Sequence, residues 1–239
     1  MIVVVSRTWH NVKVILNIYK PKGITSFDIV YQLRKKSGIK KVGHAGTLDP
    51  LAEGVLVVLT GSDTKKQDEV LKTEKEYVAE IGFGICSETN DLEVIPEIAN
   101  IPSLDYVKKV LPPVLNSFTG QIEQRVPLYS AVKVSGKPLY RRARSGKPVD
   151  TEQLPIKTVS IYTIEILRFE NKEITTVEGV KQIPTVKLNV RCSHGTYIRS
   201  LARDIGEKIG SRGTLVSLVR TKVGIYMIDT AKRIEELEF

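Results

Sequence analysis

The chain has 239 residues, of which 41% are hydrophobic and 26% charged, so it can form one large globular domain or two small ones. Its net charge of +9, from 36 lysines and arginines against 27 acidic residues, favours a polyanionic partner, most often a nucleic acid. Two distant cysteines and three histidines fit no metal or disulfide pattern, and the apolar residues 1–5 are too few for a signal peptide or membrane span, so we expect a cytoplasmic protein without a membrane contact.

The first predicted elements are a strand and a capped helix. Residues 11–19 are apolar and β-prone, and residues 25–38 have the apolar spacing of a helix. Thr25 and Asp28 are spaced as a capping box, which satisfies amide groups at the start of a helix. Gly38 suits the left-handed conformation that commonly ends one.

The middle of the chain predicts two strands and a short helix. Residues 55–59 form an uninterrupted apolar run, which indicates a short buried strand. Apolar side chains recur at every second position from Tyr77 to Ile85, so we expect a half-buried strand. Ser103 is placed to cap a helix, and Pro112 and Pro113 are expected to stop it.

The remaining elements decide the fold class. Alternation over residues 158–169 and 185–192 predicts strands, and residues 196–210 predict a helix with one apolar stripe. Because strands and helices are not interspersed with regular βαβ spacing, we predict an α+β fold (α/β mixed) with a largely antiparallel mixed sheet and flanking helices. We expect a single catalytic domain over residues 1–239, with an insertion at about 127–150.

Residues 43–54, Gly-His-Ala-Gly-Thr-Leu-Asp-Pro-Leu-Ala-Glu-Gly, are the most informative stretch. Glycines permit tight backbone paths, so this loop can hold the carboxylate of Asp49 in a fixed position beside a buried strand. An Asp-Pro pair alone is more often a structural turn. The loop matches neither the P-loop nor the dinucleotide-binding glycine pattern, so the whole string has to be explained in another way.

A basic stretch lies in the expected insertion. It contains no acid, and tyrosines are interleaved with or adjacent to its cations, a combination that suits RNA phosphates and unstacked bases. The alternative interpretation is that this stretch is an ordinary solvated face without a binding role. The residues concerned are Tyr129, Lys133, Lys137, Tyr140, Arg141, Arg142, Arg144 and Lys147.

Five segments occur in an order that matches a known family. They are Tyr-Lys-Pro-Lys-Gly-Ile-Thr-Ser at 19–26, the glycine-rich loop at 43–54, Lys-Glu-Tyr at 75–77, Val-Pro-Leu-Tyr-Ser-Ala-Val-Lys at 126–133 and Arg-Cys-Ser-His-Gly-Thr-Tyr-Ile-Arg at 191–199. Together they resemble the motifs of the TruB-type tRNA pseudouridine synthases. The resemblance implies the pseudouridine synthase fold with an RNA-binding insertion. It also implies isomerisation of the T-loop uridine of tRNA to pseudouridine, with no cofactor and no metal.

The resemblance also assigns roles in the chemistry. Asp49 corresponds to the catalytic carboxylate, Arg199 to its cationic partner, and Tyr77 to the tyrosine that packs against the target base. Without the resemblance, Tyr77 would be read as a core residue and Arg199 as a solvated helix residue. Whether the aspartate attacks C1′ of the ribose or assists a glycal route stays open.

RNA-binding roles follow from the resemblance together with the basic stretch. A flipped uridine must be held outside its stack, which requires compensating contacts. The alternatives are a structural hydrogen-bonding role for the histidine and plain surface charge for the lysines. The expected RNA-binding residues are Lys20, His44, Tyr129, Lys133, Arg141, Arg142 and Arg144.

Two departures from the family pattern bear on the function. Residues 87–94 lack the closing glycine of the family's acidic turn, and the chain stops at Phe239, where many relatives carry a C-terminal PUA module. We expect no PUA domain, and a stand-alone enzyme acting on the T stem-loop of tRNA without an obligate protein partner. The competing interpretations are the catalytic subunit of a guide-RNA-dependent enzyme and an RNA-folding chaperone.

Overall fold

A computed structural model describes residues 14–134, 136–143, 150 and 153–239. Its strands are β1 (Ile15–Lys20), β2 (Val42–Ala45), β3 (Glu53–Thr60), β4 (Lys75–Phe83), β5 (Ile85–Cys86), β6 (Glu97–Ile98), β7 (Gly120–Arg125), β8 (Lys133–Val134), β9 (Lys137–Pro138), β10 (Ile156–Thr176), β11 (Gly179–Cys192), β12 (Gly213–Val223) and β13 (Tyr226–Met227). Its α-helices are α1 (Ser26–Ser37), α2 (Gln67–Leu71), α3 (Leu104–Asn116), α4 (Leu139–Ala143) and α5 (Ile198–Lys208).

The chain divides into two compact units. Unit 1 comprises Met1–Glu76 and Val219–Phe239, and unit 2 comprises Tyr77–Leu218. Strands β4 and β12 have residues in both units. The expected single domain over residues 1–239 stays a prediction.

Unit 1 is built around β3. Strands β1 and β2 pair with β3 antiparallel, and β12 pairs with it in parallel through Val219 opposite Glu53 and Arg220 opposite Gly54. Helix α1 packs on this sheet through the buried side chains of Ile29 and Leu33. The connection from β2 to β3 therefore starts and ends on one rigid sheet.

The caps of α1 confirm the prediction made from local chemistry. The Asp28 amide donates to Thr25 Oγ1 at 3.1 Å, and the Thr25 amide donates to Asp28 Oδ2 at 2.7 Å. Gly38 has φ 72° and ends the helix in the left-handed conformation. The predicted strands at 11–19 and 55–59 are also present as β1, from Ile15, and β3, while residues 11–13 lie outside the described chain.

Unit 2 contains a sheet in which β12, β4, β11, β10 and β7 follow one another. Strands β10 and β11 form a long antiparallel hairpin, and β7 pairs antiparallel with the first part of β10. These antiparallel pairs, the parallel β3–β12 pair and the flanking helices confirm the predicted α+β fold with a largely antiparallel mixed sheet. None of the helices in the described chain has the length and apolar character that a membrane crossing needs.

Two predictions about unit 2 are wrong in detail. From Ala79 to Phe83, strand β4 is buried on both faces, because Glu80 and Gly82 are buried as well as the alternating apolar residues. Helix α3 begins at the Ser103 cap as predicted, but Pro112 and Pro113 lie inside it. The buried residues Leu111 and Leu115 continue one face of α3 past the prolines, so packing outweighs the missing backbone hydrogen bonds.

The predicted insertion contains β8 and β9, which form a two-stranded ladder, followed by the short helix α4. Residues 135, 144–149 and 151–152 lie outside the described chain. The helix predicted over 196–210 is α5, and its stripe of Ile198, Leu201, Ala202, Ile205 and Ile209 is buried.

Candidate active site

The glycine-rich segment forms the connection between β2 and β3, and we call residues 46–52 the Asp49 loop. His44 and Ala45 pair with Val58 and Val57 of β3, so the loop leaves and rejoins a ladder. Inside the loop the Ala52 amide donates to the Asp49 carbonyl at 3.1 Å, which closes a tight turn at the aspartate. Asp49 is half-buried at this turn.

The start of α1 holds the Asp49 loop from one side. Ser26 is buried, and its Oγ accepts a hydrogen bond from the Leu48 amide at 2.8 Å and donates one to the Leu48 carbonyl at 3.0 Å. The Gly23 amide donates to the Pro50 carbonyl at 2.8 Å. The residues before and after Asp49 are therefore both fixed to the segment that precedes and begins the helix.

Arg220 holds the same loop from the sheet. Its side chain lies inside unit 1 and donates from Nε to the Val55 carbonyl at 2.7 Å, from NH2 to the Gly46 carbonyl at 3.1 Å and from NH1 to the Thr47 carbonyl at 3.4 Å. Nothing local in the sequence predicted this arginine, because its partners are more than 160 positions away in the chain.

His44, an expected RNA-binding residue, lies at the end of β2 beside Arg220. Burial lowers the pKa of His44, and the charge of Arg220 lowers it further. The imidazole is therefore neutral near pH 7. Its Nδ1 is buried and has no hydrogen-bond partner in the described part of the chain.

Lys20 was expected near RNA, but it is 0% exposed. Its Nζ donates to the carbonyls of Pro21 at 2.9 Å and Ile24 at 2.7 Å, and so holds the turn between β1 and α1. This turn includes Gly23, which contacts the Asp49 loop. The geometry favours a structural role for Lys20, and contact with RNA stays a prediction.

Arg199 is buried at the start of α5 in unit 2, not solvated as a helix arginine would ordinarily be. Its NH1 donates to the Thr89 carbonyl at 3.0 Å, its NH2 donates to the Tyr129 carbonyl at 2.9 Å, and its Nε lies 3.7 Å from Asp91 Oδ2. One guanidinium thus connects α5, the turn after β5 and the predicted insertion.

Asp91 is a residue of the site that the sequence did not single out. Its Oδ1 accepts hydrogen bonds from Thr89 Oγ1 at 2.6 Å and from the Glu93 amide at 3.0 Å. These bonds order the turn that lacks the family's closing glycine. The signal that could have found it is the acid in that turn, which the family pattern contains.

The other candidates of unit 2 differ in exposure. Tyr77 is buried near the start of β4, and Tyr129 donates from its hydroxyl to Glu88 Oε2 at 3.1 Å. Lys133, Arg141 and Arg142 are exposed. Arg144 lies outside the described residues.

The expected site residues divide between the two units. Asp49, His44 and Lys20 belong to unit 1, whereas Tyr77, Arg199 and the basic stretch belong to unit 2. The pairing of Arg199 with Asp49 stays a prediction. In the described ranges, no group of three histidine, cysteine or acidic side chains is arranged to hold a metal ion.

Comparison with known sequences finds similar proteins of one family. The pattern of the family described as TruB family pseudouridylate synthase (N terminal domain) matches residues 34–198. The tRNA pseudouridine synthase B of Clostridium tetani (strain Massachusetts / E88) is 40% identical over 227 residues, which are 93% of this chain and 72% of that protein. The protein of the same name from Clostridium novyi (strain NT) is 44% identical, over 93% of this chain and 71% of that protein.

Solved structures with the same fold are also similar in sequence. One is a Cbf5-Nop10-Gar1 complex, with a TM-score of 0.65 and 29% identity over 93% of this chain. Another is an H/ACA RNP bound to a substrate RNA containing 2′-deoxyuridine, with a TM-score of 0.63 and 26% identity over 93% of this chain. This chain spans about half the length of those two chains, 53% and 51%.

Proposed function

Because the chain belongs to the TruB family of pseudouridylate synthases and is therefore a uridine isomerase, we propose that it converts the T-loop uridine of tRNA to pseudouridine. The relatives that cover most of the chain are named for action on tRNA. The net charge of +9 suits such a polyanionic substrate. We further propose that the purified chain acts alone, without cofactor, metal or obligate protein partner, in the cytoplasm.

The observation that carries the proposal is the placement of Asp49. Its carboxylate lies on a turn whose neighbours, Leu48 and Pro50, are both hydrogen-bonded to the segment around the start of α1. A group that must meet one ribose carbon needs a fixed position, since small misplacements cost large factors in rate. A surface carboxylate of no function needs no such support.

The reaction is an isomerisation, so its atoms balance without a co-reactant. The bond from N1 of uracil to C1′ of the ribose breaks, and the base turns while it stays in the site. A bond from C5 to C1′ then forms, C5 loses its proton, and N1 gains one. We assign Asp49 to the ribose side of these steps, either as nucleophile at C1′ or as the base of a glycal route.

The remaining site residues receive roles that suit their surroundings. Arg199 is a buried cation that we propose balances the charge of Asp49, and Tyr77 is an aromatic ring that we propose packs on the uracil. Neutral His44 can fill space left by the flipped base without a cost for burying charge. Tyr129, Lys133, Arg141, Arg142 and Arg144 are proposed to contact the RNA.

Tritium release from 5-tritiated uridine tests the chemistry, because the proton on C5 is lost in the reaction. We expect the purified protein to release tritium from an unmodified tRNA transcript. A transcript with cytidine in place of the T-loop uridine should release no tritium. Release that persists with the cytidine transcript would contradict the T-loop assignment while leaving the isomerase activity in place.

Asp49→Asn tests the catalytic carboxylate. The change keeps the size of the side chain and removes its charge, so RNA binding should stay within a few-fold while turnover falls by about 10²-fold or more. Asp63→Asn, another carboxylate of unit 1, is the matched control and should retain activity. Turnover by Asp49→Asn above about 1% of wild type would show that the assignment is wrong.

A further inference from the structure

Arg220 is an unusual arginine because its charge is buried and none of the described residues pairs a carboxylate with it. The residue is 2% exposed, and each of its guanidinium nitrogens donates to a backbone carbonyl. In the described part of the chain no aspartate or glutamate forms an ion pair with it. Buried charges are normally paired, since desolvation is costly, so the position of Arg220 is not explained by stability alone.

We propose that Arg220 is a positioning residue that fixes the Asp49 loop from the sheet of unit 1. This inference rests on the proposed function, in which Asp49 acts on the ribose. Two of the three carbonyls, those of Gly46 and Thr47, lie at the start of the loop, and the third, of Val55, lies in β3 just after it. A single rigid fork therefore spans both sides of the turn that carries the carboxylate.

The backbone of Arg220 also helps to fix the loop. Arg220 pairs with Gly54 in the parallel ladder of β12 and β3. Gly54 has φ +106°, and a Cβ atom built there would lie 2.3 Å from the Arg220 carbonyl oxygen. The backbones of β3 and β12 can therefore come this close only with glycine at position 54. Ser26 holds Leu48 from the helix side, so the loop is fixed on two sides.

The charge of Arg220 gives a second consequence that can be measured without catalysis. Carbonyl dipoles satisfy its donors but do not neutralise the cation, and its field reaches His44. Burial is the larger cause of the lowered pKa of His44, and Arg220 adds to it. Removal of the positive charge should raise the pKa of His44 towards its ordinary value, whereas a lysine at the same position should keep it low.

The experiment compares Arg220→Met and Arg220→Lys with Lys222→Met, which changes a neighbouring cation on the same strand whose side chain pairs with Glu74. We expect kcat to fall by about 10²-fold in Arg220→Met, because the aspartate is misplaced, with KM within about 3-fold. Arg220→Lys should lose less activity, because an ammonium keeps the positive charge. It should still lose some activity, because an ammonium cannot span both sides of the loop. Lys222→Met should behave like wild type.

Hydrogen exchange at the Leu48 amide, which bonds to Ser26, and titration of His44 by NMR give readouts independent of activity. Exchange at Leu48 should speed up in both Arg220 variants, while amides in the middle of α1 stay protected. Normal activity per folded molecule with an unchanged Leu48 amide would reduce Arg220 to a stabilising residue and overturn the proposal.

The same readouts separate this inference from the proposed function. An inactive wild-type protein would count against the proposed function, yet exchange at the Leu48 amide would still decide whether Arg220 fixes the loop. If Arg220→Met does not fold, Arg220→Lys carries the test, because it keeps the buried charge. Unchanged exchange at Leu48 in a folded Arg220→Lys would then overturn the proposal.

Discussion

Asp91 is one of the residues that hold Arg199, together with the backbone carbonyls of Thr89 and Tyr129. Both side chains are buried, and Asp91 Oδ2 lies 3.7 Å from Arg199 Nε. Removing one partner of a buried ion pair is unfavourable, because the remaining charge loses part of its compensation. The guanidinium of Arg199 should then shift or recruit water.

We therefore predict that Asp91→Asn lowers kcat by about 10-fold to 10²-fold and also lowers Tm. Thr89→Val is the matched control, because it removes one hydrogen bond to Asp91 Oδ1 but leaves both charges in place, and it should lose less activity. The measurement is single-turnover tritium release, corrected for the folded fraction. Wild-type turnover in a folded Asp91→Asn protein would contradict a role for this pair in catalysis.

The settings of some site residues could be predicted from the sequence and those of others could not, for a physical reason. Asp49 lies in a motif of adjacent residues, so its setting could be predicted from the chain itself. The contact of Arg220 with Val55 and that of Arg199 with Thr89 join residues 165 and 110 positions apart. Contacts of that kind leave no local pattern, so the groups that hold the Asp49 loop and those that hold Arg199 could be identified only from the structure.

Among the elements, local chemistry predicted where helices begin better than how far elements extend. The Thr25 capping box and the Ser103 cap were both confirmed, because a cap depends on residues within one turn. The strands predicted over 158–169 and 185–192 are longer in the structure, as β10 and β11, because their outer residues carry polar side chains that hide the alternation. Hairpin pairing, not apolar pattern, sets their length.

The predicted insertion is the element to which RNA binding is assigned. Arg141 and Arg142 are exposed on α4, and no acid occurs between Lys133 and Lys147. Replacing both arginines by alanine should weaken tRNA binding and flatten the dependence of log K on log salt. The slope should change by about 0.7 for each phosphate of single-stranded RNA that the variant no longer neutralises. The measurement is a binding isotherm at several salt concentrations.

Lys108 and Lys109 provide the control for this experiment, since they are two adjacent exposed cations on α3 of the same unit. Their double alanine variant has the same change in net charge. If it flattened the slope as much as the Arg141 and Arg142 variant does, the effect would come from total charge and not from α4. The basic stretch would then be an ordinary solvated face.

For the molecule as a whole, the net charge of +9 adds an attraction that acts before any specific contact forms. This attraction should grow with the length of the polyanion and fade with salt, because the Debye length falls to about 3 Å at 1 M. If the protein acts on the T loop as proposed, the whole tRNA and the isolated T stem-loop make the same specific contacts. The two contributions can therefore be separated by comparing these substrates.

We predict that at low salt kcat/KM favours full-length tRNA over the isolated T stem-loop, and that raising the salt brings the two values within about tenfold, or about 1.4 kcal/mol. The value of kcat itself should change little for either substrate, because steering acts on encounter and not on the chemical step. The comparison needs each substrate measured at the same series of salt concentrations. A preference for full-length tRNA that persists near 10³-fold at high salt would instead require specific contacts with tRNA beyond the T stem-loop, and would contradict this prediction.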